Sequence, residues 1–224
     1  MKTRDKIVQA SLELFNKHGE RNISTNHIAA HLNMSPGNLY YHFRNKEDII
    51  RSIFTLYESD IIRDFKPYLN QEVNSELLLN YFDTLFNILW NYRFLYNNLA
   101  DILSRDEVLK VRYRQTQEQV LSRSNYIIAQ LKDDGVLIID ENDISPLADT
   151  LKLMTSFWVS YKLTQSKSPI GSISKASLYE GVLRVLLILK TYSAPNSIKT
   201  FDKLKAHYQA QAESSIQAEA HIKE

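Results

Sequence analysis

The sequence predicts an all-α protein, and three observations carry that reading. Only 5 Gly and 5 Pro punctuate its 224 residues. Apolar residues recur with a 3.6-residue period over long stretches, while β-type alternation is scarce. Serines stand just ahead of several such stretches, at positions 24, 35, 145 and 174, where a hydroxyl can cap a free backbone N–H.

Taken in order, the first helix spans residues 3–18. Ile7, Ala10, Leu14 and Phe15 form its inward stripe, and Gly19 sits where a C-terminal cap belongs. Residues 24–46 then read as two short helices joined by a tight turn. Ser24 caps the first, whose apolar side is Ile28, Ala29 and Leu32. Asn33 follows, a residue that tolerates the left-handed conformation a sharp turn needs. Ser35 and Pro36 restart the helix as N-cap and first helical residue, where proline's missing N–H costs nothing. Leu39 and Phe43 point inward, which leaves Pro36, Gly37, Asn38, Tyr40, Tyr41 and His42 on the outer surface.

That outer surface suits a nucleic acid. A helix N-terminus attracts an anion, Gly37 admits close approach, and an Asn side chain can read an adenine edge. The tyrosine hydroxyls, His42 and Lys46 can bond phosphate oxygens. Three blocks, IVQASLELFNKHG at 7–19, STNHIA at 24–29 and LYYHFRNKEDI at 39–49, together resemble the DNA-binding domain of the tetracycline-repressor (TetR) family. The resemblance implies a DNA-binding set of Thr25, Asn26, Ser35, Pro36, Gly37, Asn38, Tyr40, Tyr41, His42 and Lys46. Within it, Pro36, Gly37, Asn38, Tyr40 and Asn26 would face base edges, and Thr25, Tyr41, His42 and Lys46 would hold phosphates. Two departures from the family pattern stand out. Asn33 replaces the usual Gly, and the start at residues 24–26 has no Arg to read guanine.

Beyond the motif, residues 46–65 form a long helix opened by Lys46, Glu47 and Asp48, with acidic residues in the first turn as the helix dipole prefers. Its stripe of Ile49, Ile50, Ile53, Phe54, Tyr57 and Ile61 makes it a lever between two domains, and Pro67 ends it. Helices follow at 75–92, 94–103 and 106–132, then a polar loop at 140–143. Ser145 and Pro146 start a helix to residue 165, and Ser174 starts another to 192. Both carry apolar residues on two sides. Such a helix buries one side in its own core and the other against a partner, or it is the central core helix of a monomer. The resemblance supplies a partner, the same helices of a second subunit, through Leu153, Phe157, Val182, Leu186 and Leu189. From residue 196 the chain begins as an amphipathic helix and turns Ala/Gln/Glu-rich, helical but frayed at its end.

Composition excludes several function classes. Without cysteine there is neither a disulfide framework nor a thiolate metal site, and a reducing, cytoplasmic setting is expected. The N-terminus has no apolar signal segment, and the longest apolar run, at 185–189, is too short to cross a bilayer. The net charge of +1 conceals an asymmetry: residues 1–51 hold 8 Lys/Arg against 5 Asp/Glu, and the remainder 19 against 21. His27 and His31 have zinc-pair spacing but no third ligand, so no metal or other cofactor is expected. No phosphate loop or nucleophile motif supports an enzyme.

The expected organisation is a helix-turn-helix domain at 1–48, a ligand-binding and dimerisation domain at 49–195 and a tail at 196–224. Tyr81, Phe82, Phe86, Trp90, Phe157, Trp158 and Tyr161 are the aromatic candidates for a ligand pocket, with ordinary core as the alternative. The leading functional expectation is a homodimeric transcriptional repressor, released from double-stranded DNA by an unidentified small-molecule effector. A ligand-independent DNA-binding accessory or architectural protein of the same fold is the alternative. A closed, dry core in the second domain would favour the latter.

Overall fold

A computed structural model describes residues 2–68, 73–165 and 173–221, and these form eleven α-helices with one 3-10 turn. The N-terminal part comprises α1 (Thr3–His18), a 3-10 turn (Glu20–Asn22), α2 (Thr25–His31) and α3 (Pro36–His42). Helix α4 (Lys46–Asp64) leads into α5 (Ser75–Asn91), α6 (Arg93–Asn97), α7 (Leu99–Ser104) and α8 (Glu107–Asp133). Then come α9 (Glu141–Gln165), α10 (Lys175–Thr191) and α11 (Ile198–His221). Asn45, Asn74, Asp106 and Ser174 cap α4, α5, α8 and α10 with side-chain oxygens, each accepting the N–H three residues on.

Buried apolar side chains run as one cluster from Ile7 to Tyr208. Helix α4 is its spine: Ile49, Ile53, Phe54 and Tyr57 are each at most 1% exposed, and each contributes about 1.5–3 kcal/mol of burial. The expected domain boundary at residue 48 falls inside the first turn of α4, so a continuous helix, not a linker, joins the two parts.

Two elements differ from expectation. The helix expected over 94–103 breaks at Asn98, where ψ turns to 36° and the side-chain amide donates to Asp101 at 3.0 Å. A local side-chain bond there competes with the helix. Helix α9 begins at Glu141 rather than Ser145, aided by acidic residues in its first turn and a Lys132–Glu141 ion pair. Pro146 therefore lies inside the helix and leaves the Asn142 carbonyl without its i+4 donor. The amphipathic first half of the segment from 196 docks through its apolar side: Phe201, Leu204, Tyr208 and Ala212 are buried against α10 and α5. Residues 222–224, where fraying was expected, lie outside the described residues.

That packing corrects the expected dimer surface. Val182, Leu186 and Leu189 are 7%, 2% and 7% exposed within one chain, because α10 is packed among α5, α9 and α11. Within one chain they offer little surface to a second subunit. Leu153 and Phe157 of α9 do reach the surface, as do Tyr161 and Leu187, all more than half exposed. Between α9 and α10 the approach is close. A Cβ on Gly181 would stand 2.7 Å from Cδ1 of Trp158, whose Nε1 donates to the Ser177 carbonyl at 2.6 Å.

Candidate nucleic-acid interface

Helices α2 and α3 meet across the turn at Asn33, whose φ is 52°. Ser24 Oγ accepts the His27 N–H while His27 Nδ1 accepts the Ser24 N–H, a reciprocal cap at the start of α2. Ser35 Oγ accepts the Asn38 N–H with Pro36 at the first position of α3. Leu39 and Phe43, 0% and 2% exposed, hold α3 against the core. The opposite face is open. Asn26, Ser35, Pro36, Gly37, Asn38, Tyr40 and Tyr41 are exposed, and Thr25 and His42 are half-buried.

Several of these side chains are arranged by one another. The hydroxyls of Thr25 and Tyr40 lie 3.0 Å apart, tying α2 to α3. Tyr41 packs edge-on to His42 at 5.1 Å. A Cβ on Gly37 would meet nothing within 4 Å, so the fold itself does not demand glycine there. Arg4 of α1 lies over the Phe43 ring at 4.4 Å and donates to Ser52 at 2.9 Å, which sets a cation beside this face.

Lys46 differs from the rest of the expected set. Its ammonium donates to the carbonyls of Glu20 at 3.0 Å and Ile23 at 3.2 Å. It also stands 2.7 Å from Glu20 Oε1, a charge pair without a well-aligned hydrogen bond. Its donors point into the protein, so its first duty is to hold the 3-10 turn onto α4.

Behind this face lies a polar junction that motif reading did not single out. Glu20, its side chain 1% exposed, also pairs with Arg105 between α7 and α8 at 3.0 Å. Arg51 of α4 donates through Nε and Nη2 to Asp106 at 2.6 and 3.0 Å. Burial pushes the Asp106 carboxyl up, but hydrogen bonds from Arg51 and the Leu109 N–H prevail and hold it below the usual carboxylate range. Hydrogen bonds from Arg21 likewise lower Asp101. Asn16 of α1 donates to the Asn91 carbonyl at 2.7 Å and accepts the Phe94 N–H at 3.1 Å. The sequence signal for Asn16 was its place beside Phe15, a polar residue on an inward face.

In the second part, α4, α5, α6, α8, α9, α10 and α11 line a cavity of about 140 Å³. Tyr81 and Phe82 of the aromatic candidates line it, and burial pushes the Tyr81 hydroxyl up to about 12. Phe86 and Trp158 line a smaller neighbour that shares the wall of Phe82, Leu85 and Leu89. Trp90, Phe157 and Tyr161 line neither. Trp90 lies under the Arg93 guanidinium at 4.0 Å, and the other two face outward. Among the described residues no three metal-ligating side chains come together, and no helix is long and apolar enough to cross a membrane.

Known proteins share both parts. Residues 7–53 match the family described as bacterial regulatory proteins, tetR family, and residues 56–201 match TetR, described as a bacterial transcriptional repressor. A TetR-family transcriptional regulator from Marinobacter aquaeolei VT8 has a solved structure of TM-score 0.83 at 38% identity, covering 93% of this chain and 99% of that one. The HTH-type transcriptional regulator QacR of Staphylococcus aureus is 41% identical over 59 residues, 26% of this chain and 31% of QacR. IcaR of Staphylococcus aureus, named as the HTH-type negative transcriptional regulator of the biofilm operon icaADBC, is 28% identical over 130 residues. That match takes in 58% of this chain and 62% of IcaR, so the chain spans less than two thirds of either curated relative. KstR2 of Mycobacterium tuberculosis, at TM-score 0.62 and 16% identity, shares the fold. With an open helix-turn-helix face at one end and family matches over both halves, the chain belongs to the TetR family of DNA-binding transcriptional regulators.

Proposed function

We propose that this regulator is a homodimeric repressor that leaves its operator when a small molecule fills the cavity of its C-terminal part. The observation that carries the reading is the reach of α4. At its start Ile49 and Ile50 join the same core cluster as Leu39 and Phe43, and further along Tyr57 and Ile61 line the cavity. An occupant that favours a different seat for α4 would shift α3 with it. Two reading heads of this type must lie about 34 Å apart to enter successive major grooves, so a changed separation weakens operator binding. The name of IcaR as a negative regulator supports repression over activation. The exposed Leu153 and Phe157 on α9 support self-association.

A ligand-independent DNA-binding protein of the same fold is the competing reading. The cavity counts against it, since a closed, dry core would leave no room for an effector.

The test begins with operator DNA selected from genomic fragments and a thermal-shift screen of metabolites. Any ligand found is titrated with and without operator. Coupling of about 1–3 kcal/mol would weaken operator binding by roughly 5- to 150-fold, and operator must weaken the ligand by the same factor. Equal ligand affinity in both titrations would leave the ligand-independent reading standing.

A further inference from the structure

The cavity wall is almost wholly aliphatic and aromatic, and its exceptions are informative. Its lining contains no Asp or Glu and one charged side chain, the half-buried Lys152 of α9. No ion pair engages Lys152 among the described residues. A cation entering such a space would lose its water with no carboxylate to replace it, whereas an anion would meet an ammonium.

A second feature is a buried trio with too many hydrogens. The Tyr96 hydroxyl donates to the Tyr57 hydroxyl at 3.0 Å, and Gln117 Nε2 donates to the same oxygen at 3.0 Å. All three residues line the cavity and are under 9% exposed. This arrangement leaves the Tyr57 proton with no acceptor among the described residues. Turning the Gln117 amide over gives that proton an acceptor but strands the amide hydrogens instead. Either way the trio presents a surplus donor, and a buried donor left unmade is costly.

We propose that the cavity takes a carboxylic acid with an apolar body. This rests on the cavity being the effector site. Carboxylate oxygens only accept hydrogen bonds, which matches the surplus donor, and their charge is opposite to that of Lys152. The aliphatic wall receives the rest of the molecule. At about 140 Å³ the cavity has room for roughly five waters at about 30 Å³ each, so an acid of about ten non-hydrogen atoms fills it and extends beyond it.

Three probes built on an eight-carbon chain test this on the full chain by titration calorimetry: octanoate, methyl octanoate and octylamine. Octanoate should bind about tenfold or more tighter than its ester, the effect expected of a charge-assisted bond, and octylamine should show no saturable binding. Lys152→Met should remove the preference for acid over ester. Tyr57→Phe should weaken both by about fivefold or more while circular dichroism shows the helices retained. If Tyr57→Phe does not fold, Lys152→Met alone carries the test. Octylamine binding as tightly as octanoate, no binding of any probe, or an unchanged acid-to-ester ratio in Lys152→Met would each overturn the assignment. Operator release is scored separately. Octanoate that binds without releasing operator upholds the ligand class and removes the effector reading, while failure of all three probes removes the class and leaves the effector reading intact.

Discussion

Nζ of Lys46 lies 2.7 Å from Oε1 of Glu20, whose side chain is 1% exposed. With two further carbonyl acceptors around the ammonium, Lys46 is committed to the protein. Lys46→Ala should therefore lower unfolding stability by about 1–3 kcal/mol, the range for hydrogen bonds to a charged group. Arg105 remains at 3.0 Å to keep Glu20 paired, which spares the larger cost of an isolated buried charge. The dependence of operator affinity on salt should keep its slope. A slope shallower by about one unit, with stability unchanged, would instead mark Lys46 as a phosphate contact.

Asn38 is the opposite case. Its backbone N–H serves the Ser35 cap, but its exposed side chain has no recorded partner and is free to meet a base. Asn38→Ala should relax preference at one operator position, costing on the order of 1–3 kcal/mol on the preferred base and little elsewhere. Binding measured across single-base operator variants decides this. Uniform weakening over all variants would assign the side chain to the phosphate backbone.

The local elements were largely legible because each is announced by its own neighbours. Ser24, Asn33, Ser35 and Pro36 specify the turn between α2 and α3 through caps and a left-handed residue, and none of these needs distant information. What was not legible depends on contacts between remote segments. The apolar two-sidedness of α10 was plain, but only the packing of Phe201, Leu204 and Tyr208 onto it tells which side is already occupied. The pocket shows the same limit. Trp90 and Tyr81 look alike in helical spacing, yet one lies beneath an arginine and the other lines the cavity. Pro146 misled for a different reason: first-position proline is favoured, but acidic residues and an ion pair extended the helix past it.

Asp106 should make stability pH-dependent. Its carboxyl is held below the ordinary value of 3.8 in the folded chain. A depressed folded value means stability that is present above the unfolded pKa and lost as pH falls through the folded one. Asp106→Asn keeps an oxygen to cap α8 but loses the charge facing Arg51. It should cost about 1–3 kcal/mol at neutral pH. The gap between wild type and variant should narrow as pH drops below about 4. Thermal unfolding of both proteins across pH 3–7 measures it, and a gap that widens in acid would reverse the assignment.

Gly181 is set by the indole above it. Gly181→Val must displace Trp158, because its Cβ alone would sit 2.7 Å from Cδ1 and 2.9 Å from Nε1. Overpacking of this kind costs about 1–3 kcal/mol, to which the lost Trp158–Ser177 bond adds about 1 kcal/mol. Denaturant unfolding should show the drop, and the paired change Gly181→Val with Trp158→Leu should recover part of it. No recovery in the double variant would place the strain elsewhere.

The dimer surface can be separated from the core by two aspartates. Phe157 is 51% exposed on α9, and Val182 is 7% exposed on α10, facing α5 and α9. If α9 meets a second copy, Phe157→Asp buries an unpaired charge only in the dimer. The variant should sediment as a monomer at micromolar concentration, keep the wild-type helical signal and lose most operator affinity, since two half-sites then bind independently. Val182→Asp buries its charge in each chain alone, so its thermal unfolding temperature should fall whatever the oligomeric state. Leu153→Asp, 60% exposed on the same face four residues before Phe157, should behave like Phe157→Asp. A wild type that sediments as a monomer, or a Phe157→Asp variant that remains dimeric, would move the interface off this face of α9.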